Sequence, residues 1–140
     1  MKTCACAILS RRRKILLGKR SPFRKFYPNV WDLIGGHCEK GESPEQALLR
    51  ELKEELDITP TKFQEIRILD EPNIEAYGAY QYHVYLVTDW NGVPCNQQPQ
   101  EHSEIKWFSI EDALGLELAH PHYPVLFKEI DRSAGAEAYE

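Results

Sequence analysis

Thirteen residues in the first half of the chain, Pro44–Leu56 (PEQALLRELKEEL), carry two stripes that a helix would set side by side. Leu48, Leu49, Leu52 and Leu56 recur at the i, i+3, i+4 spacing of a helix that buries one face. Glu51, Glu54 and Glu55 recur at the same spacing next to that apolar face rather than opposite it. The ends are equally well marked. Ser43 is a good N-cap, Pro44 suits the first helical position, and Gln46 completes an S-x-x-Q capping box. Glu45 in the first turn suits the helix dipole. A chain with this segment must supply a core for the leucines, and it must place acidic groups at the rim of that core.

Carboxylates at i, i+3 and i+4 repel one another and weaken a helix by a few tenths of a kcal/mol per pair. A counter-cation relieves that repulsion. Mg²⁺ is the natural choice, with Mn²⁺ as a substitute, since these ions take hard oxygen ligands and are held by a few carboxylates together with substrate phosphates. A solvated acidic face with ordinary Glu–Lys pairs has the same spacing, and spacing alone leaves both readings open.

The stretch Gly36–Ile58, GHCEKGESPEQALLRELKEELDI, resembles the signature of the Nudix family, G-x5-E-x7-R-E-U-x-E-E-x-G-U with U a bulky aliphatic residue. Gly36, Glu42, Arg50, Glu51, Leu52, Glu54, Glu55 and Ile58 fill eight of nine fixed positions. The departure is Asp57, where the pattern has a glycine that ends the helix in a left-handed turn; Asp is among the few other residues that tolerate that conformation. The resemblance implies metal binding by Glu51, Glu54, Glu55 and the backbone carbonyl of Gly35. It also implies an ion pair of Arg50 with Glu42 that orients the glutamates, although an i, i+4 helix pair of Arg50 with Glu54 is the plainer reading of that arginine.

The chemistry implied by the resemblance is attack of water on phosphorus in a nucleoside diphosphate linked to a further group. Divalent ions neutralise the diphosphate oxygens and lower the pKa of a bound water. A general base is still required. Glu55 could serve, or a later loop glutamate, for which Glu101 and Glu104 in QEHSEIKWF are the candidates. An exposed loop carboxylate is the alternative for each.

The chain has 140 residues, enough for a real core, with 42% hydrophobic and 28% charged residues. A formal net charge of −5 argues against duplex nucleic acid or an anionic membrane as the main partner, leaving a small nucleotide or other diphosphate as the expected one. Cys4, Cys6, Cys38 and Cys95 show no C-x-x-C pair and no zinc spacing, so we expect reduced thiols and a cytoplasmic location. No apolar run is long enough to span a membrane, and the N-terminal TCACAIL precedes RRRK, the reverse of a signal peptide. The run Arg11–Lys14 reads as a solvated turn rather than a nucleic-acid patch. Monomer and homodimer both remain open.

We expect strands over Cys4–Leu9, Lys14–Gly18, Trp31–Ile34, Thr61–Leu69 (with an irregularity), Tyr80–Thr88 and Ile105–Phe108, a turn at Asn91-Gly92, a short helix capped by Ser109, and a last helix starting at Pro124. The family implies an α/β fold, an α/β/α sandwich around a mixed sheet, as a single domain over 1–132 with a flexible tail at 133–140.

Substrate residues are less marked. Arg20 stands where MutT-like relatives carry a substrate-contacting arginine. His122 stands where they carry a base-reading asparagine, which weighs against recognition of oxidised guanine. Trp31, Tyr77, Tyr80, Tyr82 and Trp107 could stack a base or simply pack. A nucleoside triphosphate pyrophosphohydrolase is the leading expectation. Hydrolases of nucleotide-sugars, dinucleotides or coenzyme A come next. Isopentenyl diphosphate isomerases stand well behind, because Gly35 occupies the place of their cysteine. From another class, a non-catalytic nucleotide-sensing module remains, although such modules usually have eroded signatures and every carboxylate is present here.

Overall fold

A computed structural model describes residues 1–138 of the chain. Seven strands form one mixed sheet: β1 (Lys2–Arg11), β2 (Lys14–Arg20), β3 (Trp31–Asp32), β4 (Ile34–His37), β5 (Thr59–Asp70), β6 (Tyr80–Asn91) and β7 (His102–Ser109). Among the described residues four helices accompany them: α1 (Pro44–Leu56), α2 (Ile74–Tyr77), α3 (Ile110–Leu114) and α4 (Tyr123–Ala138).

The central strand β1 runs parallel to β6 and antiparallel to β2 and β4. Its alternation divides the core. Ile8 faces α3 and α4 with Ile15, Leu17, Val84, Phe108, Leu126 and Phe127. Ala5, Ala7 and Leu9 face α1 with Leu16, Ile34, Leu48, Leu52, Leu56 and Val87. Helices therefore cover both faces, giving the expected α/β/α sandwich.

β1 and β2 pair only over Leu9–Arg11 and Lys14–Leu16 and then separate. The segment 31–37 fills the opening. Trp31 and Asp32 pair with Lys19 and Gly18 of β2, whereas Ile34–His37 pair with Cys4–Ala7 of β1. The expected single strand Trp31–Ile34 is thus two short strands on different partners, with Leu33 as the crossing point. This fork in the sheet positions the site described below.

Helix α1 has the expected bounds and the complete capping box: Ser43 Oγ accepts from the Gln46 N–H and Gln46 Oε1 accepts from the Ser43 N–H. Asp57 ends it in the left-handed region, at φ 57° and ψ 43°. One expectation fails on this helix. Leu49 is exposed (37%) because the buried face centres on Leu48, Leu52 and Leu56 and takes in Ala47 and Glu55 instead.

The irregularity expected in β5 is present as register shifts at Pro60–Phe63 and Glu65–Arg67. Ser109 caps α3, accepting from the Asp112 N–H. The one-turn helix α2 was not expected; Asn73 caps it, and it is too short to show a period. α4 continues to Ala138 through alanines that favour helix, over most of the segment expected to be a tail, and residues 139 and 140 lie outside the described residues.

Candidate active site

The acidic stripe of α1 enters the protein by degrees. Glu54 has a side chain 48% exposed, Glu51 14% and Glu55 1%, because 100° per residue rotates each further toward the leucine face. Arg50 organises the outer part. It donates to both oxygens of Glu42 at 2.8 Å, to Glu51 Oε1 at 2.9 Å, to Glu54 Oε2 at 3.3 Å and to the carbonyl of His37 at 2.9 Å. Both sequence readings of Arg50 therefore hold together: it makes the helix pair with Glu54 and the cross-loop pair with Glu42. The Arg50 fork, then the Glu39 N–H, hold the Glu42 carboxyl down at about 2.

The two glycines before the loop are required by close approach. A Cβ on Gly36 would stand 2.5 Å from Glu51 Oε1, and one on Gly35 would overlap the carbonyl oxygen of Ala5. The helix and β4 can meet at a carboxylate only where the strand has no side chain.

Glu55 is held by β7 rather than by the loop before α1. Its Oε1 lies 3.1 Å from His102 Nε2 at the start of β7, and no hydrogen-bond donor reaches the buried Oε2. Glu55, Glu101 and His102 bring ligand-type atoms within 4.8 Å of one another. Burial first, then the charges of Glu51 and Glu101, push the Glu55 carboxyl up to about 10. Burial also raises Glu51, against the pull of Arg50, and lowers His102. A dry carboxylate oxygen without a donor, beside two further carboxylates, is an arrangement that a hard divalent cation satisfies. The residues present fit such an ion.

Of the two loop glutamates, the structure brings Glu101 to Glu55 and leaves Glu104 out. Glu104 pairs with Lys19 along the strand and its side chain is exposed, so it drops from the candidate bases.

A cleft of about 440 Å³ opens in the fork of the sheet, reaching Gly35, Gly36 and His102 at one end and Glu71, His120 and Tyr123 at the other. Arg20, Arg24 and Lys25 line it, with Phe23, Phe26, Tyr27, Tyr80 and Tyr82. Arg20 is present as expected, but its Nε donates to the Phe26 carbonyl (2.8 Å) and its Nη1 to Asp32 (3.0 Å). His122 is not among the lining residues. His120 is, held by Nε2 on the Asp70 carbonyl at 2.9 Å, since the turn before α4 directs the earlier histidine inward.

The aromatic candidates also divide. Tyr80 and Tyr82 line the cleft, whereas Trp31 packs on Phe108, Trp107 on Trp90, and Tyr77 on Phe26 and Tyr27. The far end is a closed polar network. Glu71 accepts from Tyr27 (2.7 Å), Tyr82 (2.8 Å) and the Asn73 N–H (2.7 Å), and Asp32 accepts from Tyr123 (2.7 Å).

Sequence reasoning missed Asp32, Glu71, His102 and His120. Only His102 carried a signal, as the neighbour of Glu101. The four cysteines are free; Cys4 and Cys6 sit on the cleft wall, and burial pushes the Cys4 thiol up to about 12. Among the described residues no helix is long and apolar enough to cross a membrane.

The family model described as NUDIX domain matches residues 1–129. Among curated proteins, the chain is 36% identical over 121 residues to the CTP pyrophosphohydrolase of Escherichia coli K12, covering 86% of this chain and 84% of that one. It is 32% identical over 128 residues to the nucleoside triphosphatase NudI of Enterobacter sp. strain 638, covering 84% and 88%. Among solved structures, it superposes on a MutT NUDIX hydrolase from Burkholderia pseudomallei with a TM-score of 0.77 at 27% identity, over 91% of this chain and 95% of that one. The solution structure of the E. coli ORF135 protein gives 0.77 at 31%, over 97% and 92%. The register of the glutamates, the forked sheet that receives them and these likenesses agree: the chain belongs to the Nudix family of hydrolases.

Proposed function

We propose that this protein hydrolyses nucleoside triphosphates to the nucleoside monophosphate and pyrophosphate, with Mg²⁺ as its cation. One observation carries the reading: a cleft lined by aromatic and cationic side chains opens onto Gly36, behind which Glu51 lies, with His102 and Glu55 beside it. The names of the two relatives, a CTP pyrophosphohydrolase and a nucleoside triphosphatase, support the substrate class.

Glu51, Glu54, Glu55 and the Gly35 carbonyl would hold the metal, which supplies charge neutralisation for the phosphate oxygens and a lowered pKa for water. Arg50 keeps Glu51 and Glu54 from swinging apart, and Glu42 keeps Arg50 in place. Glu101, at the mouth of the Glu55 cluster, accepts the proton of the attacking water. The water oxygen bonds to phosphorus, the anhydride oxygen leaves with its electron pair, and pyrophosphate departs. Arg24, which lines the cleft and pairs loosely with Glu101 (Nη1 to Oε2 4.0 Å), would meet a phosphate oxygen. Arg20 is braced on Asp32 and positions the 21–30 loop as much as it binds. The base lies along Tyr80 and Tyr82.

The test is a panel of ribo- and deoxynucleoside triphosphates, nucleotide-sugars and dinucleotides with Mg²⁺, products separated by ion exchange. The monophosphate and pyrophosphate from a triphosphate are expected. Turnover confined to nucleotide-sugars or dinucleotides, or release of orthophosphate with the diphosphate, would overturn the reading.

A further inference from the structure

We propose that His102 is a positioning residue for this reaction: its Nε2–H holds one oxygen of Glu55 and leaves the other as the single atom of that carboxylate open to the metal. The inference rests on the functional reading above and extends it to a residue outside the glutamate signature.

Glu55, Glu101 and His102 converge as a three-ligand site would, and a nitrogen ligand is the first reading of the cluster. The hydrogen-bond inventory of the imidazole opposes it. His102 is 3% exposed, and its Nδ1 is buried with no partner. A proton on Nδ1 would be a dry donor without an acceptor, at a cost of about 1–3 kcal/mol. The proton therefore sits on Nε2, the nitrogen 3.1 Å from Glu55 Oε1. That nitrogen presents a hydrogen to the cluster and not a lone pair. His102 donates to Glu55 Oε1, and Oε2, which no donor reaches, is left for the cation.

The placement of the ring is built by its surroundings. Gly18 leaves the space that the imidazole fills, since a Cβ there would stand 2.8 Å from Nδ1 and 3.0 Å from Ile34 Cδ1. The His102 N–H donates to the Gln98 carbonyl at 3.0 Å, and Asn96 Nδ2 donates to the His102 carbonyl at 2.7 Å. The same loop reaches the end of α1, where the Gln97 N–H donates to the Glu55 carbonyl (3.0 Å) and the Cys95 N–H to the Leu56 carbonyl (3.1 Å). The connection between β6 and β7 thus grips Glu55 at its main chain and at its carboxylate. The arrangement parallels that of Glu51, whose Oε1 is taken by Arg50 at 2.9 Å. Buried Glu55 and half-buried Glu51 each have one oxygen fixed by a donor, His102 in the first case and Arg50 in the second.

Mn²⁺ serves as the probe. Its affinity is read by electron paramagnetic resonance for the unaltered protein, His102→Gln (which keeps an N–H donor) and His102→Leu (which has none). We expect His102→Leu to bind Mn²⁺ about 10–100-fold more weakly and His102→Gln to restore most of the loss. kcat should fall with KM little changed, and the Mn²⁺ spin-echo spectrum of the unaltered protein should show no directly bonded ¹⁴N. Should His102→Leu fail to fold, Gly18→Ala, which presses on Nδ1, is expected to weaken Mn²⁺ in the same way. A directly bonded ¹⁴N signal in the unaltered protein would make His102 a ligand and overturn the proposal. So would Mn²⁺ affinity unchanged in His102→Leu, or a His102→Gln as weak as His102→Leu. Failure of the triphosphate reading looks different: no turnover of triphosphates by the unaltered protein, with the His102 dependence of Mn²⁺ binding intact.

Discussion

Arg50 holds Glu42 through two hydrogen bonds of 2.8 Å, Nε to Oε2 and Nη2 to Oε1, across the loop that leads from β4 into α1. The same guanidinium spends its third nitrogen on Glu51 and Glu54. One side chain therefore joins the loop to two carboxylates, and only a planar five-donor group can do so.

Arg50→Lys keeps the charge and loses the fork. We expect kcat to fall about 10–100-fold and metal affinity to weaken, because Glu51 and Glu54 lose their common anchor. Steady-state kinetics and a metal titration check it. Acid behaviour should change as well. Glu42 is held at about 2 in the folded protein against an ordinary 4.5, so its contribution is present above pH 4.5 and is lost as pH falls toward 2. In Glu42→Gln, the Tm should depend less on pH across that window than in the unaltered protein.

Glu55 gives the opposite sign. Its carboxyl titrates at about 10 in the folded, metal-free protein against an ordinary 4.5. The folded state keeps a proton that the unfolded chain releases, so stability declines as pH rises between those values, with a limiting slope of about 1.4 kcal/mol per pH unit for one proton. Glu55→Gln should remove that decline, making the metal-free protein more stable than the unaltered one at pH above neutrality while abolishing turnover. Saturating Mg²⁺ should flatten the decline in the unaltered protein, and chelation by EDTA should restore it. Urea melts across this pH range, with and without the ion, measure both effects. Metal uptake near neutral pH should also release a proton, visible by calorimetry in buffers of different ionisation enthalpy.

The adjacent glycines should fail in different ways. At Gly36 the obstacle to a Cβ is the end of a side chain, Glu51. Gly36→Ala should fold with a modest loss of Tm and lose metal affinity, as the carboxylate is pushed aside. At Gly35 the obstacle is the backbone of Ala5 and Cys6 in the central strand. Gly35→Ala should cost stability first, about 3 kcal/mol or more, with activity lost through unfolding. Thermal melts run beside Mn²⁺ titrations separate the two.

What the sequence displayed was local in origin. α1 was legible to the residue because its cap, first proline, leucine period and left-handed end all lie within fifteen positions, Ser43–Asp57. The glutamates were legible because one helix carries them all. The fork in the sheet was not, since β4 meets β1 across some 33 positions (Cys4 with His37) while the adjoining β3 meets β2 instead, and no local pattern encodes that split pairing. The cleft residues suffer the same loss: Asp32, Glu71, His102 and His120 come from four separate segments, and each looks ordinary alone. Leu49 was misjudged for a related reason. Spacing gives the relative angles of side chains around a helix, while the packed sheet decides which angle is innermost.

Asp57 allows the one departure from the family signature to be weighed directly. Its φ of 57° costs a β-carbon-bearing residue about 1 kcal/mol relative to glycine, although Asp tolerates that region better than most. Against this stands its ion pair with Lys53 at 2.8 Å, in which both side chains are more than half exposed, so water screens the pair and it contributes little. The backbone term should win. Asp57→Gly is expected to raise stability by about 0.5–1 kcal/mol and Asp57→Ala to lower it by about 1 kcal/mol, with unfolding m-values unchanged. Since Asp57 points away from the carboxylate cluster, paired with Lys53 on the outer side of the helix, kcat should stay within about twofold in both variants. If Asp57→Ala proved as stable as Asp57→Gly, the left-handed turn would not be the reason that a glycine is usual at this position.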